Sequence, residues 1–199
     1  NPSNSNSLNS NSIQSLLEDR SGTIWIGSYS SGLTSYDPIS NRFTHYVSDP
    51  STPGTLTDNR IYSLVEDRSG IIWIGTYGGG LNRLDRKTGK ISHFQHDEND
   101  STSLSLNATW SLAIDRSDQL WIGTFGGGLS RMRSGTFSSY DSKLGLSNDI
   151  VLSFYEDPEG SLWIGTDGGG LNRLKDGKFV NIGKNQGLTN AMVTSVYED

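Results

Sequence analysis

The 199-residue chain has no cysteine, two methionines and three histidines. Without cysteine there is no disulfide framework, no thiolate nucleophile and no sulfur-bound metal centre. The absence suits an oxidising compartment as well as the cytosol, so it does not decide between them. Positive charge is also short: Lys+Arg number 16 against 22 Asp+Glu, a net charge of −6. The acidic residues are scattered, which argues against nucleic acid or an anionic membrane as the main partner. No run approaches the ~18 apolar residues of a membrane helix, so direct membrane insertion is not expected, and no signal peptide is legible. Sustained helical periodicity is missing as well.

What is present is glycine, 24 residues, and tryptophan, five. Four of the tryptophans open the triplet W-I-G, at Trp25, Trp73, Trp121 and Trp163. Each follows by six residues an aspartate: Asp19, Asp67, Asp115 and Asp157. With Asp199 these aspartates recur at intervals of 48, 48, 42 and 42 residues. A period in the forties marks a repeat architecture and suits one four-stranded propeller blade.

The second repeat shows the internal order. RIYSLVED (60–67) reads as a strand, RSG as a tight turn, and IIWIGTY (71–77) as a second strand. GGG is a loop, LNRLD (81–85) a third strand, RKTGK a turn, and ISHFQ (91–95) a fourth strand. Short strands bounded by Gly, Asp and Asn turns give an antiparallel meander. The unbroken apolar run Ile71–Ile74 predicts a strand covered on both faces, as when one sheet stacks on the next. The glycines are not a phosphate cradle: Gly78, Gly79 and Gly80 lead into another strand, whereas such cradles lead into a helix N-terminus. They are expected to turn a hairpin.

The expected fold is therefore all-β, four four-stranded antiparallel blades plus the first strand of a fifth. A polar lead-in loop covers 1–10, blade one 11–58, blade two 59–106, blade three 107–148 and blade four 149–189. Residues 190–199, with AMVTSVYED, repeat the first strand of a further blade. In a closed four-bladed ring residues 12–19 and 192–199 would compete for one place, so the sequence reads as part of a longer propeller. Its end faces would then be covered by the remaining blades of the parent chain or by another copy, a homo-oligomer.

The phrase V-x-S-L-V-E-D-R-S-G-x-x-W-I-G-T-x-G-G-G-L-N-R-L, a consensus of 61–84 with 151–174, resembles the two-component regulator propeller repeat. The resemblance covers residues 11–199. It implies seven-bladed propellers in the extracytoplasmic, periplasmic or extracellular, sensor half of bacterial hybrid histidine kinases, many of which detect oligosaccharides. Two departures stand out. The first repeat has SYSSGLTSY and keeps one loop glycine of three, Gly32, and the third has Asp118 where the others have Gly22, Gly70 and Gly160. The turn D-R-S-G-x-I-W also resembles the Asp-box of sialidases, where the aspartate and glycine stabilise a hairpin.

Loops between strands two and three share a propeller face with the starts of strand one. The aligned positions after W-I-G-S/T are Tyr29, Tyr77, Phe125 and Asp167, and the strand-one starts add Asn59, Arg60, Asn107 and Asp149. Aromatic faces stack on sugar rings, and Arg60 has the fork to pair with a uronate or sulfate. The plainer reading is that these aromatics cap their hairpins and pack on the neighbouring blade. Trp110 stands apart in its strand, as inner packing or as a stacking platform.

No catalytic constellation is legible. His45 and His93 occupy equivalent solvated places in fourth strands and His96 stands alone, so no metal site and no cofactor are expected. No G-x-S-x-G turn appears. The adjacent pairs Glu66–Asp67 and Glu156–Asp157 point to opposite faces and cannot flank one glycosidic bond. DEND (97–100) reads as a solvated loop. The expectation is a non-enzymatic sensor segment for an oligosaccharide or other small ligand, signalling to an output domain. The rivals are a polysaccharide lyase or glycoside hydrolase, with Asp149 and Asp167 as the acids, and a structural module that binds protein.

Overall fold

The computed structural model describes residues 6–197 and divides them into two compact units. The first holds two antiparallel sheets, β1 (Ile13–Glu18), β2 (Ile24–Ser28), β3 (Leu33–Asp37), β4 (Arg42–Tyr46), and β5 (Ile61–Glu66), β6 (Ile71–Thr76), β7 (Leu81–Asp85), β8 (Ile91–Phe94). Residues 107–109 also belong to this unit. In the second unit, one sheet comprises β9 (Thr109–Ile114, from Trp110 on), β10 (Leu120–Thr124), β11 (Leu129–Arg133) and β12 (Thr136–Tyr140). The other comprises β13 (Val151–Glu156), β14 (Leu162–Thr166), β15 (Leu171–Lys175) and β16 (Lys178–Ile182). Strand order follows the chain in every sheet, as a meander requires. The fold is all-β, as the repeat predicts; two single-turn 3₁₀ segments, Ser142–Leu144 and Lys184–Gln186, lie in connections.

Each unit buries its core between its two sheets. Trp25 and Leu33 of the first sheet pack with Ile61, Leu64, Ile72 and Ile74 of the second. In the other unit Trp121 and Leu129 pack with Val151, Leu162 and Ile164. The glycine of W-I-G sets the approach of the sheets. A Cβ on Gly27 would lie 2.2 Å from Ser15 Oγ and 2.7 Å from Ile61 Cγ2; on Gly123 it would lie 2.6 Å from Val151 Cγ1. Within each unit, strand one of the second sheet thus rests where a side chain has been deleted.

The aspartates eight residues before those glycines hold the tight turns. Asp19 Oδ1 accepts from the Ser21 and Thr23 amides at 2.8 and 3.1 Å, and Oδ2 from the Trp25 indole at 2.7 Å. Asp67, Asp115 and Asp157 repeat the indole bond at 2.8–2.9 Å. The turn of the third repeat does not differ. Asp118 takes the left-handed conformation, φ 61°, where Gly22 has φ 83°, and its N–H donates to Asp115 O at 2.9 Å. Aspartate tolerates that region better than most residues. Asp118→Gly should therefore change stability by less than about 0.5 kcal/mol, and Asp118→Ala should cost about 1 kcal/mol, measured by urea unfolding.

The expected further strand in 190–199 differs. Met192 bridges Asp167 and the Val193 N–H donates to Thr166 O at 3.0 Å, but 193–197 form no ladder. Strand one of each sheet pairs with strand two of that same sheet, and 193–197 have no such neighbour among the described residues. Asp199 lies outside them.

Candidate functional site

The loops between strands two and three are built alike in all four sheets. Their last glycine, Gly32, Gly80, Gly128 or Gly170, has φ between 75° and 79°. Its N–H donates to a carbonyl two residues before the next strand one, at Asn59, Asn107 and Asp149, and to that of Ala191 after the last sheet, at 2.7–2.9 Å. The glycine that the first repeat retains is thus the one whose geometry the loop requires. The same bonds place strand-one starts beside these loops, as the sequence predicts.

In the first unit this brings Tyr29 and Tyr77 to either side of Tyr62, with ring centroids 6.4 and 5.7 Å away. Tyr29 is 48% exposed and Tyr77 37%. Tyr29 thus packs on the following sheet, as the plainer reading has it, with part of each ring left exposed. Arg60 lays its guanidinium over Tyr77, 4.8 Å from the ring centre. Its fork is already engaged: Nε and Nη2 donate to the two oxygens of Asp58 at 3.0 and 2.6 Å. Burial alone would raise the Asp58 pKa, but the Arg60 bonds outweigh it and hold the carboxyl ionised below its ordinary range. The same bond raises the Arg60 pKa. Burial, then the phenols of Tyr29 and Tyr77, push the Tyr62 pKa up, so its hydroxyl stays protonated at neutral pH.

The other sequence candidates are placed differently. Asn59 accepts the Ser48 amide at 2.7 Å through its side chain, and Asn107 offers its carbonyl to Gly80. Phe125 lies in the second unit and packs on Trp110, centroids 5.3 Å apart. Trp110 is half-buried. Asp149 is tied into a turn, its carboxylate accepting the Ser142 amide at 2.6 Å and the Ser142 hydroxyl at 3.0 Å. Asp167, half-buried, donates its amide to Ile150 O at 3.0 Å. An acid committed to a turn is a poor general acid or base, so Asp149 does not serve the hydrolase reading.

A cavity of about 510 Å³ in the second unit is lined by acids, among them Asp97, Asp100, Asp141 and Asp149. Asp97, Asp100 and Asp141 cap their own turns by accepting the amides of Asn99, Thr102 and Lys143 at 2.8–3.0 Å. The histidines are not merely solvated. His45 meets Thr34 Oγ1 at 3.0 Å, His93 donates Nε2–H to Thr55 O at 2.7 Å, and His96 Nδ1–H to Leu104 O at 2.7 Å.

Tyr62 and Asp58 are the residues that sequence reasoning did not single out. Tyr62 sits where the β5–β6 register shifts, between Ile61 and Ser63, and the bulge turns its side chain to the loop face. Gln14, Trp110 and Leu152 hold the equivalent place in the other repeats, so this position varies where the surrounding motif does not.

Residues 7–30, 55–78 and 145–168 match the family model described as two component regulator propeller. Three of the four repeats thus match the two-component regulator propeller model. The equivalent stretch of the third repeat, which carries Ile114 and Asp118, is not among the matched segments. Among solved structures, the chain is similar to the extracellular domain of a protein described as a hybrid two component system of B. thetaiotaomicron. They share 25% identity at a TM-score of 0.75, over 87% of this chain and 24% of that one. An extracellular domain described as that of a one component system from the same organism gives 27% identity and a TM-score of 0.70, over 86% and 25%. This propeller chain thus spans about a quarter of the length of those two. Virginiamycin B lyase of Staphylococcus aureus shares the fold at 17% identity, TM-score 0.67, over 86% of this chain and 55% of the lyase. No curated protein matches.

Proposed function

We propose that this propeller segment belongs to the extracytoplasmic sensor part of a bacterial two-component regulatory protein and helps to bind an oligosaccharide. The observation that carries the reading is the row Tyr29–Tyr62–Tyr77, with two rings exposed at the loop face. Phenol faces stack on the C–H faces of sugar rings, and a protonated Tyr62 keeps a donor beside them. Because Asp58 occupies the Arg60 fork, the surface suits a neutral sugar better than a uronate or sulfate, which would have to displace a carboxylate. Loops on a stiff sheet scaffold are where such sites are found. Signalling would follow from a ligand preference for one arrangement of the sensor over another. No helix among the described residues is long and apolar enough to cross a membrane.

The outer face of β1 supports a further partner. Leu16 is 67% exposed, whereas its equivalent Leu64 is 8% exposed beneath the preceding sheet. Another blade of the parent protein, or a second copy, would cover it.

Calorimetry of the propeller against neutral, uronic and sulfated oligosaccharides tests the reading. Saturable binding of a neutral sugar is expected, weakened about tenfold in Tyr77→Ala, with no product formed. Turnover of any sugar would transfer the case to the enzyme reading, and binding unaffected by Tyr29→Ala and Tyr77→Ala would remove the tyrosine row from it.

A further inference from the structure

The opposite face, where the aspartate turns lie, carries one arrangement twice with one difference. In the first unit Arg86, just past β7, reaches into a slot between the two sheets. Its guanidinium binds Asp19 Oδ2, donates Nη2–H to Glu66 Oε1 at 3.0 Å and Nε–H to Gly70 O at 3.0 Å, and meets Ser21 Oγ at 3.2 Å. Glu66 keeps its other oxygen on the Arg20 amide, 2.8 Å.

The second unit repeats every acceptor. Asp115, Ser117, Glu156 and Gly160 stand where the first unit has Asp19, Ser21, Glu66 and Gly70, and all four line a cavity of about 340 Å³. Glu156 Oε2 accepts the Arg116 amide at 2.7 Å, as Glu66 accepts that of Arg20, and Asp115 Oδ2 again accepts its tryptophan indole, Trp121, at 2.8 Å. What is missing is the arginine. The position equivalent to Arg86 is Asp176, in a two-residue Asp176–Gly177 turn with φ of 50° and 73°. That tight turn replaces the longer one after β7. No ion pair engages Asp115 or Glu156 among the described residues.

We infer that this cavity is a receptor for a guanidinium group, such as an arginine side chain carries, delivered from outside the chain. The first unit shows the same four acceptors holding that cation, so the acceptors are placed for a planar donor and not merely acidic. Trp121 provides the wall that Trp25 provides in the filled slot. The cavity has two cations of its own. Lys175 acts on the neighbouring Asp157, lowering its pKa after burial and nearer hydrogen bonds. Arg131 lies against the rings of Trp121 and Tyr140, 5.6 and 6.0 Å from their centres, and its buried Nε–H has no partner. It replaces Ser35 of the filled slot and lies on the tryptophan side of the cavity, without pairing with the acids.

The test reads the indole N–H resonances of Trp121 and Trp25 by ¹H–¹⁵N NMR, each hydrogen-bonded to the carboxylate in question. The full chain is titrated with methylguanidinium chloride, methylammonium chloride or sodium chloride at matched ionic strength. The expected result is a saturable shift of Trp121 with millimolar methylguanidinium, at least tenfold weaker with methylammonium and absent with sodium. Trp25, whose slot Arg86 fills, should not respond. Glu156→Gln should weaken the response at least tenfold. A silent Trp121, equal shifts at both indoles, or a response that Glu156→Gln leaves unchanged would overturn the proposal. So would a response seen in Arg131→Ala but not in the wild type, since Arg131 would then be the native occupant.

Discussion

Gly80→Ala should cost about 3 kcal/mol or more, and Gly78→Ala, two residues away in the same loop, no more than about 1 kcal/mol, by urea unfolding. Gly80 has φ 79°, and a Cβ there would sit 2.4 Å from the Phe94 carbonyl oxygen. That oxygen belongs to the backbone at the end of the fourth strand, so no rotamer change relieves the contact. Escape would require moving the loop. The Gly80 N–H is bonded to Asn107 O, and its carbonyl accepts from Thr76 Oγ1 at 2.8 Å and Thr109 Oγ1 at 3.0 Å. A shift therefore breaks the link to the following strand as well. At Gly78 a Cβ would meet only the ends of Arg60 and Asp58, both 3.1 Å away, which can swing aside. Gly22→Ala separates the two contributions. Its φ is 83° with nothing within 4 Å of the added carbon, so it should show the conformational cost alone, about 1 kcal/mol. If Gly80→Ala is no worse than Gly22→Ala, the steric part of the account fails.

The repeat made the fold readable because the same physical demand is printed four times. Trp, Asp and Gly recur at fixed offsets since an indole, its carboxylate acceptor and a deleted Cβ are needed wherever one sheet rests on another. The first repeat looked deficient in glycine, yet it keeps Gly32, the loop position that is left-handed in all four repeats, and has Ser30 and Ser31 at the other two. The site was harder. Tyr29 and Tyr77 are legible as residues following a strand end, but what unites them is Tyr62, and its direction depends on a register shift that an alternating pattern cannot reveal. Asp58 was hidden for a similar reason. Only the folded loop shows that it holds the Arg60 fork and so turns a candidate anion site into a neutral one. The guanidinium slot was invisible in any single repeat, because it is assembled from Asp19, Glu66 and Arg86, which come from two different repeats.

Asp19→Asn should destabilise the chain by about 3 kcal/mol at pH 7, and the gap from wild type should narrow by about 2 kcal/mol as pH falls from 4 to 2. The Asp19 side chain is wholly buried. Burial alone would raise its pKa, but hydrogen bonds from Ser21, Trp25 and Arg86 more than reverse this and lower it from 3.8 to about 2. A depressed carboxyl pKa contributes stability that is fully present above the unfolded value and is lost as pH approaches the folded one. The window is therefore pH 4 to 2 for this group. Asparagine can still accept the indole N–H, so the loss at neutral pH falls mainly on Arg86, which keeps only Glu66 as a charged partner. Arg86→Met should consequently cost less than Asp19→Asn, and the double variant should cost less than the sum, with a coupling of about 1–3 kcal/mol. Asp115→Asn supplies the contrast, because no arginine reaches that carboxylate. Its variant should show the smaller neutral-pH loss of a turn bond alone, about 1–2 kcal/mol. Guanidinium-free urea melts at pH 7, 4 and 2 measure all four variants. Equal losses for Asp19→Asn and Asp115→Asn would mean that the buried ion pair adds nothing to the turn, and the two slots would then be energetically alike despite the arginine in only one.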